Sequence, residues 1–313
     1  DSGVAKSRVR TAVPVPENHR ANPENLAKED FKAAGDDLVQ EYRRLGISKL
    51  YRQLVSCLRS HDTMPVAARW DKTSACVLLA TFPNSGTSWT MSMFTASTNL
   101  RPATYYDSGG GEPFRGSLAM IRPNFRLPSD DEACLSKTHL FRYGHTGPHP
   151  VANGELKNFI KKHDRAVRLI RNPVDNLVSR VRHEIDVGRL WDGIFAEQTI
   201  PQDWLARDME RYLQWHAALN DAAMEENLKV LTVEYELLHE DTKNAMMGIL
   251  KFMDFDSSVG KDWTAPPPRQ NNKQASVLLD SGLPLHLAWL SVEQLRYIAD
   301  QLRRFLRKNQ CPA

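Results

Sequence analysis

The chain has 313 residues, 41% hydrophobic and 25% charged, enough apolar material for one sizeable globular core. Lysine plus arginine number 41 against 38 aspartate plus glutamate, so no global field marks the chain for nucleic acid or an anionic membrane, and any anion site has to be local. No run approaches the roughly 18 apolar residues of a membrane span, and Cys57, Cys76, Cys134 and Cys311 lack the CxxC or His-rich spacing of structural zinc.

The four cysteines read as free, partly buried thiols, although an even count also admits pairs in an oxidising lumen. Residues 1–28 are polar and proline-punctuated, a predicted arm ahead of a single domain over 29–313. From Glu29 to Arg59 an irregular helical pattern turns Leu38, Tyr42, Leu45, Leu50 and Leu54 inward, interrupted by Gly46. Ala75 to Ala80 (ACVLLA) is a short apolar run between polar neighbours, as in a strand buried on both faces of a parallel sheet.

Thr81 to Trp89 (TFPNSGTSW) then turns at Pro83 and Gly86 into helix-compatible sequence from Thr90 to Ala96. Strand, small-residue loop and helix in succession aim backbone N–H groups at a phosphate. A tight structural turn is the alternative. The loop lacks the glycine and lysine of GxxxxGK[ST], which removes the main support for an ATPase or kinase. Ser85, Gly86, Thr87 and Ser88 are left as donors to one phosphate, and Trp89 as a ring to stack on a base.

Further on, SKTHL (Ser136 to Leu140), taken as a strand, puts Lys137 and His139 on one face. A cation beside a titratable imidazole suits charge stabilisation and proton transfer, although a lone histidine there is more often structural. An amphipathic segment, Glu155 to His163, precedes a second buried strand, Ala166 to Ile170. Arg171 to Asp175 (RNPVD) turns into a helix through Arg182, with Arg171 and Ser179 set across the turn. The planar arginine fork suits a phosphate, and an ion pair with Asp175 is the plainer use. A third strand, Lys229 to Tyr235, leads to a helix from Thr242 to Met253, and Gly260 to Ser281 is a loop. In the last helix Ser291 and Gln294 have capping-box spacing, and Leu295, Ile298, Leu302 and Phe305 form its stripe. Strands alternating with helices predict an α/β fold with a mainly parallel sheet.

TFPNSGTSW, KTHL and RNPVDNLVS, in that order, resemble the PAPS-dependent sulfotransferase family, whose elements are similar to TYPKSGTTW, KTH and RNPKDVAVS. The resemblance runs from Cys76 to Phe255 and takes in VEYELLHEDTKNAMMGILKFMDF. It implies a P-loop-like three-layer α/β fold, with a central, mainly parallel sheet flanked by helices. It also implies transfer of a sulfuryl group from 3′-phosphoadenosine-5′-phosphosulfate (PAPS) to an acceptor hydroxyl on a small molecule or glycan, with PAP as product and no metal.

By the same resemblance the backbone of Asn84, Ser85 and Gly86, with Thr87 and Ser88, takes the 5′-phosphate, and Trp89 and Tyr235 border the adenine. Arg171 and Ser179 hold the 3′-phosphate, His139 is the general base and Lys137 steadies charge on the sulfuryl group. Asn84 stands where the family has its loop lysine, and this departure motivates the alternative of a catalytically silent PAP/PAPS-binding protein. The family's late RKGxxGDWKNHF element is missing, and Arg269 or Lys273 is the substitute phosphate cation. Tyr105 to Gly116 is similar to a feature of sulfotransferases attached to WSC domains. A homodimer is left open, and the cytoplasm is favoured slightly over a Golgi lumen.

Overall fold

The computed structural model describes residues 28–60, 62, 76–100, 102–104, 134–138, 141–144, 147–150, 160, 163–186, 200–255, 263–264, 266, 287 and 289–311. In chain order the elements are α1 (Lys28–Leu45), α2 (Ile47–Arg59), β1 (Cys76–Thr81), α3 (Thr87–Thr98), β2 (Ala103–Thr104), β3 (Cys134–Thr138), β4 (Phe141–Gly144) and β5 (Gly147–Pro150). They continue with β6 (Arg165–Ile170), α4 (Pro173–Asp186), α5 (Gln202–Glu225), β7 (Lys229–Glu234), α6 (Tyr235–Glu240), α7 (Thr242–Phe252) and α8 (Val292–Lys308).

Five strands form one sheet in the order β2-β3-β1-β6-β7, every pairing parallel, while β4 and β5 make an antiparallel hairpin. Central parallel strands need apolar residues on both faces, and β1 supplies them by alternation. Val77 and Leu79 join a cluster with Met91 and Phe94 of α3 and Ile249 and Leu250 of α7. Leu78 and Ala80 join another with Leu54 and Leu58 of α2, Leu205 and Met209 of α5, and Leu295 and Ile298 of α8. The sheet is therefore the middle of three layers, the α/β architecture that the alternating elements predict.

Strand β6 buries two arginines, one on each face, and each is held by partners that its burial requires. Arg165 donates to the Phe252 carbonyl at 2.7 Å and pairs with Asp254 at 2.6 Å. Arg168 donates to the Leu58 carbonyl and Thr232 Oγ1 and pairs with Asp62, whose carboxylate also accepts from the Thr232 N–H. Burial pulls the Arg168 pKa down to about 10 and pushes the Asp62 carboxyl up. These bonds join β6 and β7 to the end of α2.

The lead-in divides into two helices at Gly46, the expected interruption, where φ is 67°; Leu38, Leu45 and Leu54 are buried and Tyr42 and Leu50 pack partly against them. Three features differ from expectation. Strand β2 and the β4–β5 hairpin are not among the predicted elements. Helix α5 has no counterpart among the predicted elements. Its buried positions, Trp204, Leu205, Met209, Tyr212, Leu213, His216 and Leu219, have helical spacing, but Asp208 and His216 put polar groups on the inner face and break the apolar stripe. Third, Cys57 and Cys311 are not free thiols but a disulfide, with their Cα atoms 5.2 Å apart. Packing of α8 across α2 brings them together, which spacing along the chain cannot reveal.

Candidate active site

Of the predicted site residues, Asn84 to Trp89, Arg171, Ser179 and Tyr235 gather at the carboxyl edge of the sheet. Thr81, the last residue of β1, is in register with Leu169 of β6, so Arg171 leaves its strand beside the loop that follows β1. Ile170 is in register with Glu234, so Tyr235, which begins α6 rather than ending a strand, starts next to Arg171. On the other side Thr138 of β3 is in register with Ala80, and Lys137 with Leu79. Connections from β1 run towards β3 and those from β6 towards β7, so the crevice between β1 and β6 is a topological switch point, where open α/β sheets bind ligands.

In the loop, Asn84 (φ 63°) and Gly86 (φ 92°) are both left-handed. Asparagine tolerates that conformation. Gly86 has no alternative, because a Cβ there would lie 2.3 Å from Cδ2 of Tyr235. Helix α3 starts at once, with the N–H groups of Trp89 and Thr90 donating to the Gly86 carbonyl at 3.1 and 3.0 Å. First-turn N–H groups, here those of Thr87 and Ser88, have no acceptor within a helix and suit an anion. The hydroxyls are less available than the sequence suggests. Ser85 Oγ is buried and accepts from Asn176, and Thr87 Oγ1 shares a 2.7 Å bond with Thr81 Oγ1; only Ser88 is half-exposed. The loop thus presents mainly backbone.

Arg171 is 5% exposed. Its Nη1 donates to the Asn84 carbonyl at 2.9 Å, its guanidinium lies 4.5 Å from the centre of the Tyr235 ring, and its Nε is buried with no partner among the described residues. The Arg171 carbonyl accepts from Tyr212 Oη at 2.7 Å. Beneath it, Glu236 accepts from the Asn172 N–H and from Tyr51 Oη, and burial pushes its carboxyl up despite those donors. Ser179 is half-exposed, and its carbonyl accepts from Asn84 Nδ2 at 3.4 Å.

Trp89 and Tyr235 are 6% and 7% exposed and meet edge to face with centroids 6.1 Å apart. Trp89 also lies 5.8 Å from the His239 ring and donates Nε1–H to the Pro266 carbonyl. Both rings are thus largely buried, with the Arg171 guanidinium over that of Tyr235.

Asn84 to Trp89, Arg171, Ser179 and Tyr235 are thus brought together. Lys137 is placed by its backbone on β3, while His139 and Arg269 lie outside the described residues. Sequence reasoning missed Asn176 and Glu236; the signal for Asn176 was a polar residue among the inward positions Val174, Leu177, Val178 and Val181. Among the described residues no group of three or more His, Cys, Asp or Glu is placed to hold a metal ion.

Residues 75–283, more than half of the chain, match the family profile described as "Sulfotransferase domain". The chain belongs to this sulfotransferase family, and it is accordingly an enzyme of sulfuryl transfer with an acceptor substrate. Among solved structures it is similar to mouse sulfotransferase SULT7A1 complexed with PAP, at 16% identity and a TM-score of 0.48, over 83% of this chain and 91% of that one. It is also similar to a sulfotransferase from Alicyclobacillus acidocaldarius, at 10% identity and a TM-score of 0.40, over 76% and 96% of the two chains. No curated protein matches it by sequence. Among the described residues no helix is long and apolar enough to cross a membrane.

Proposed function

We propose that this sulfotransferase draws its sulfuryl group from PAPS and passes it to an acceptor hydroxyl, on a small molecule or a glycan, releasing PAP. The observation that carries the reading is Arg171, a buried guanidinium tied to the loop carbonyl of Asn84 with its Nε left without a partner among the described residues. A permanent cation with an unused donor, next to a helix N-terminus, suits a nucleotide with phosphate at both ends. Backbone N–H groups of Gly86, Thr87 and Ser88 would take the 5′ end. Arg171 and Ser179, completed by Arg269, would take the 3′-phosphate, with Trp89 and Tyr235 bordering the adenine.

His139 enters on sequence alone. It accepts the proton of the acceptor hydroxyl as that oxygen bonds to sulfur, while the bond from sulfur to the bridging oxygen breaks and its electron pair leaves on the phosphate of PAP. Lys137 steadies the charge that develops there. Asn84 favours a second reading, a silent PAP-binding protein, because an amide cannot neutralise a leaving phosphate. Its side chain here bonds to the Ser179 carbonyl.

Incubation with radiolabelled PAPS and a panel of hydroxyl acceptors decides between them. Transfer is expected, reduced roughly 10²–10⁴-fold in His139→Ala with PAP affinity kept, since a general base contributes about that much. Arg171→Ala should weaken PAP binding in calorimetry. Tight PAP binding without transfer to any acceptor would establish the silent reading, and absence of PAP binding would overturn both.

A further inference from the structure

We propose that Asn176 is a positioning residue that sets the conformation of loop 82–86 for the nucleotide's 5′ end; the inference rests on the reading that this loop holds that end. Asn176 lies in the first turns of α4 and is fully buried. Its Nδ2 donates to the Pro83 carbonyl at 2.9 Å and to Ser85 Oγ at 3.1 Å. Both amide hydrogens are thus spent on the loop, and because the Pro83 carbonyl can only accept, the amide orientation is settled.

The other end of the amide shows what the arrangement is for. Oδ1 is buried with no partner among the described residues, a penalty that an apolar residue would avoid. The flanking inward positions, Val174, Leu177 and Val178, are apolar. Helix packing alone therefore does not favour asparagine here. The loop does gain from a tie, since Ser85 stands between Asn84 and Gly86, both left-handed, and residues that enter that region so readily leave the loop other conformations that a fixed contact excludes. Holding the Pro83 carbonyl and Ser85 side chain fixes the peptide planes that lead into the N–H groups of Gly86, Thr87 and Ser88. Arg171 and Ser179 stand on the β6–α4 segment itself and meet the loop only through Asn84, which bonds to both, so the tie reaches them less directly than it reaches the N–H groups of the loop.

The test compares calorimetric affinities for PAP and adenosine 3′-phosphate in wild type, Asn176→Ala and Ser85→Ala, with thermal melts to confirm folding. Wild type should prefer PAP. Asn176→Ala should lose about tenfold in PAP affinity, the order of a hydrogen-bonded tie, with a clearly smaller loss for adenosine 3′-phosphate. Ser85→Ala, which removes one of the two bonds, should show a smaller loss in the same direction. A PAP preference kept intact in both variants, or equal losses for both ligands, overturns the role of Asn176 alone. A wild-type chain that binds the two ligands equally removes the loop reading itself, and this proposal with it.

Discussion

Gly86 is the residue where local conformation and packing demand the same thing. Its φ of 92° disfavours any side chain, and the Tyr235 ring occupies the space a Cβ would take. Tyr235 cannot easily give way, because Arg171 lies over its ring and Trp89 meets it edge to face. Gly86→Ala should therefore destabilise the protein by about 2–4 kcal/mol in urea denaturation, the sum of a left-handed alanine and an overpacked contact. In a Tyr235→Ala background only the backbone part should persist, about 1–2 kcal/mol; equal costs in both backgrounds would mean that the contact contributes nothing. At this scale the turn at Pro83 and Gly86 and the position of Arg171 directly after a buried strand were legible, because a strand–turn–helix passage restricts residue types and order. The internal use of the Ser85 and Thr87 hydroxyls was not, because their partners, Asn176 and Thr81, are chosen by tertiary packing.

At the scale of elements, β1, β6, β7 and the last helix were the most legible parts. Helix α8 begins with the predicted capping box, Ser291 Oγ accepting from the Gln294 N–H and Gln294 Oε1 from the Ser291 N–H, and it buries Leu295, Ile298 and Leu302. Helix α5 was missed because of polar residues on its inner face, and one of them carries a pH signature. His216 is fully buried against the rings of Tyr212 and Trp215, and neither ring nitrogen has a partner among the described residues. Burial, and then the charge of Arg168, holds its pKa well below the usual 6.5. The unfolded chain takes up a proton as pH falls through about 6.5, while the folded chain does not. The contribution of His216 is therefore fully present at neutral pH and lost below that value, by up to about 1.4 kcal/mol per pH unit. His216→Phe, which keeps the ring contacts, should show a shallower loss of unfolding free energy between about pH 6.5 and 5. Parallel profiles for the two proteins would contradict this.

Across the whole molecule, α8 closes the structure by packing on α1, α2 and α5. Gln294 Nε2 donates to the Ile200 carbonyl, Arg296 to Glu41 at 2.8 Å, and Arg303 to the Leu45 carbonyl at 2.8 Å. The Cys57–Cys311 bond fastens the end of this helix to α2 across a sequence separation of 254 residues, so the entire sheet lies within the closed loop. No reading of cysteine spacing could have paired them, since the pairing follows from where α8 docks. Because the bond mainly restricts the unfolded chain, its loss should leave the fold in place and lower its stability by about 2–4 kcal/mol. Chemical denaturation of wild type with and without reductant, beside the double variant Cys57→Ser, Cys311→Ser, measures that difference. The reduced wild type and the double variant should coincide, both below the oxidised protein. Protein made in an oxidising compartment should show Cys57 and Cys311 inert to alkylation in denaturant until reductant is added. Alkylation of both thiols without reductant, together with equal stabilities, would show that α8 is held by packing alone.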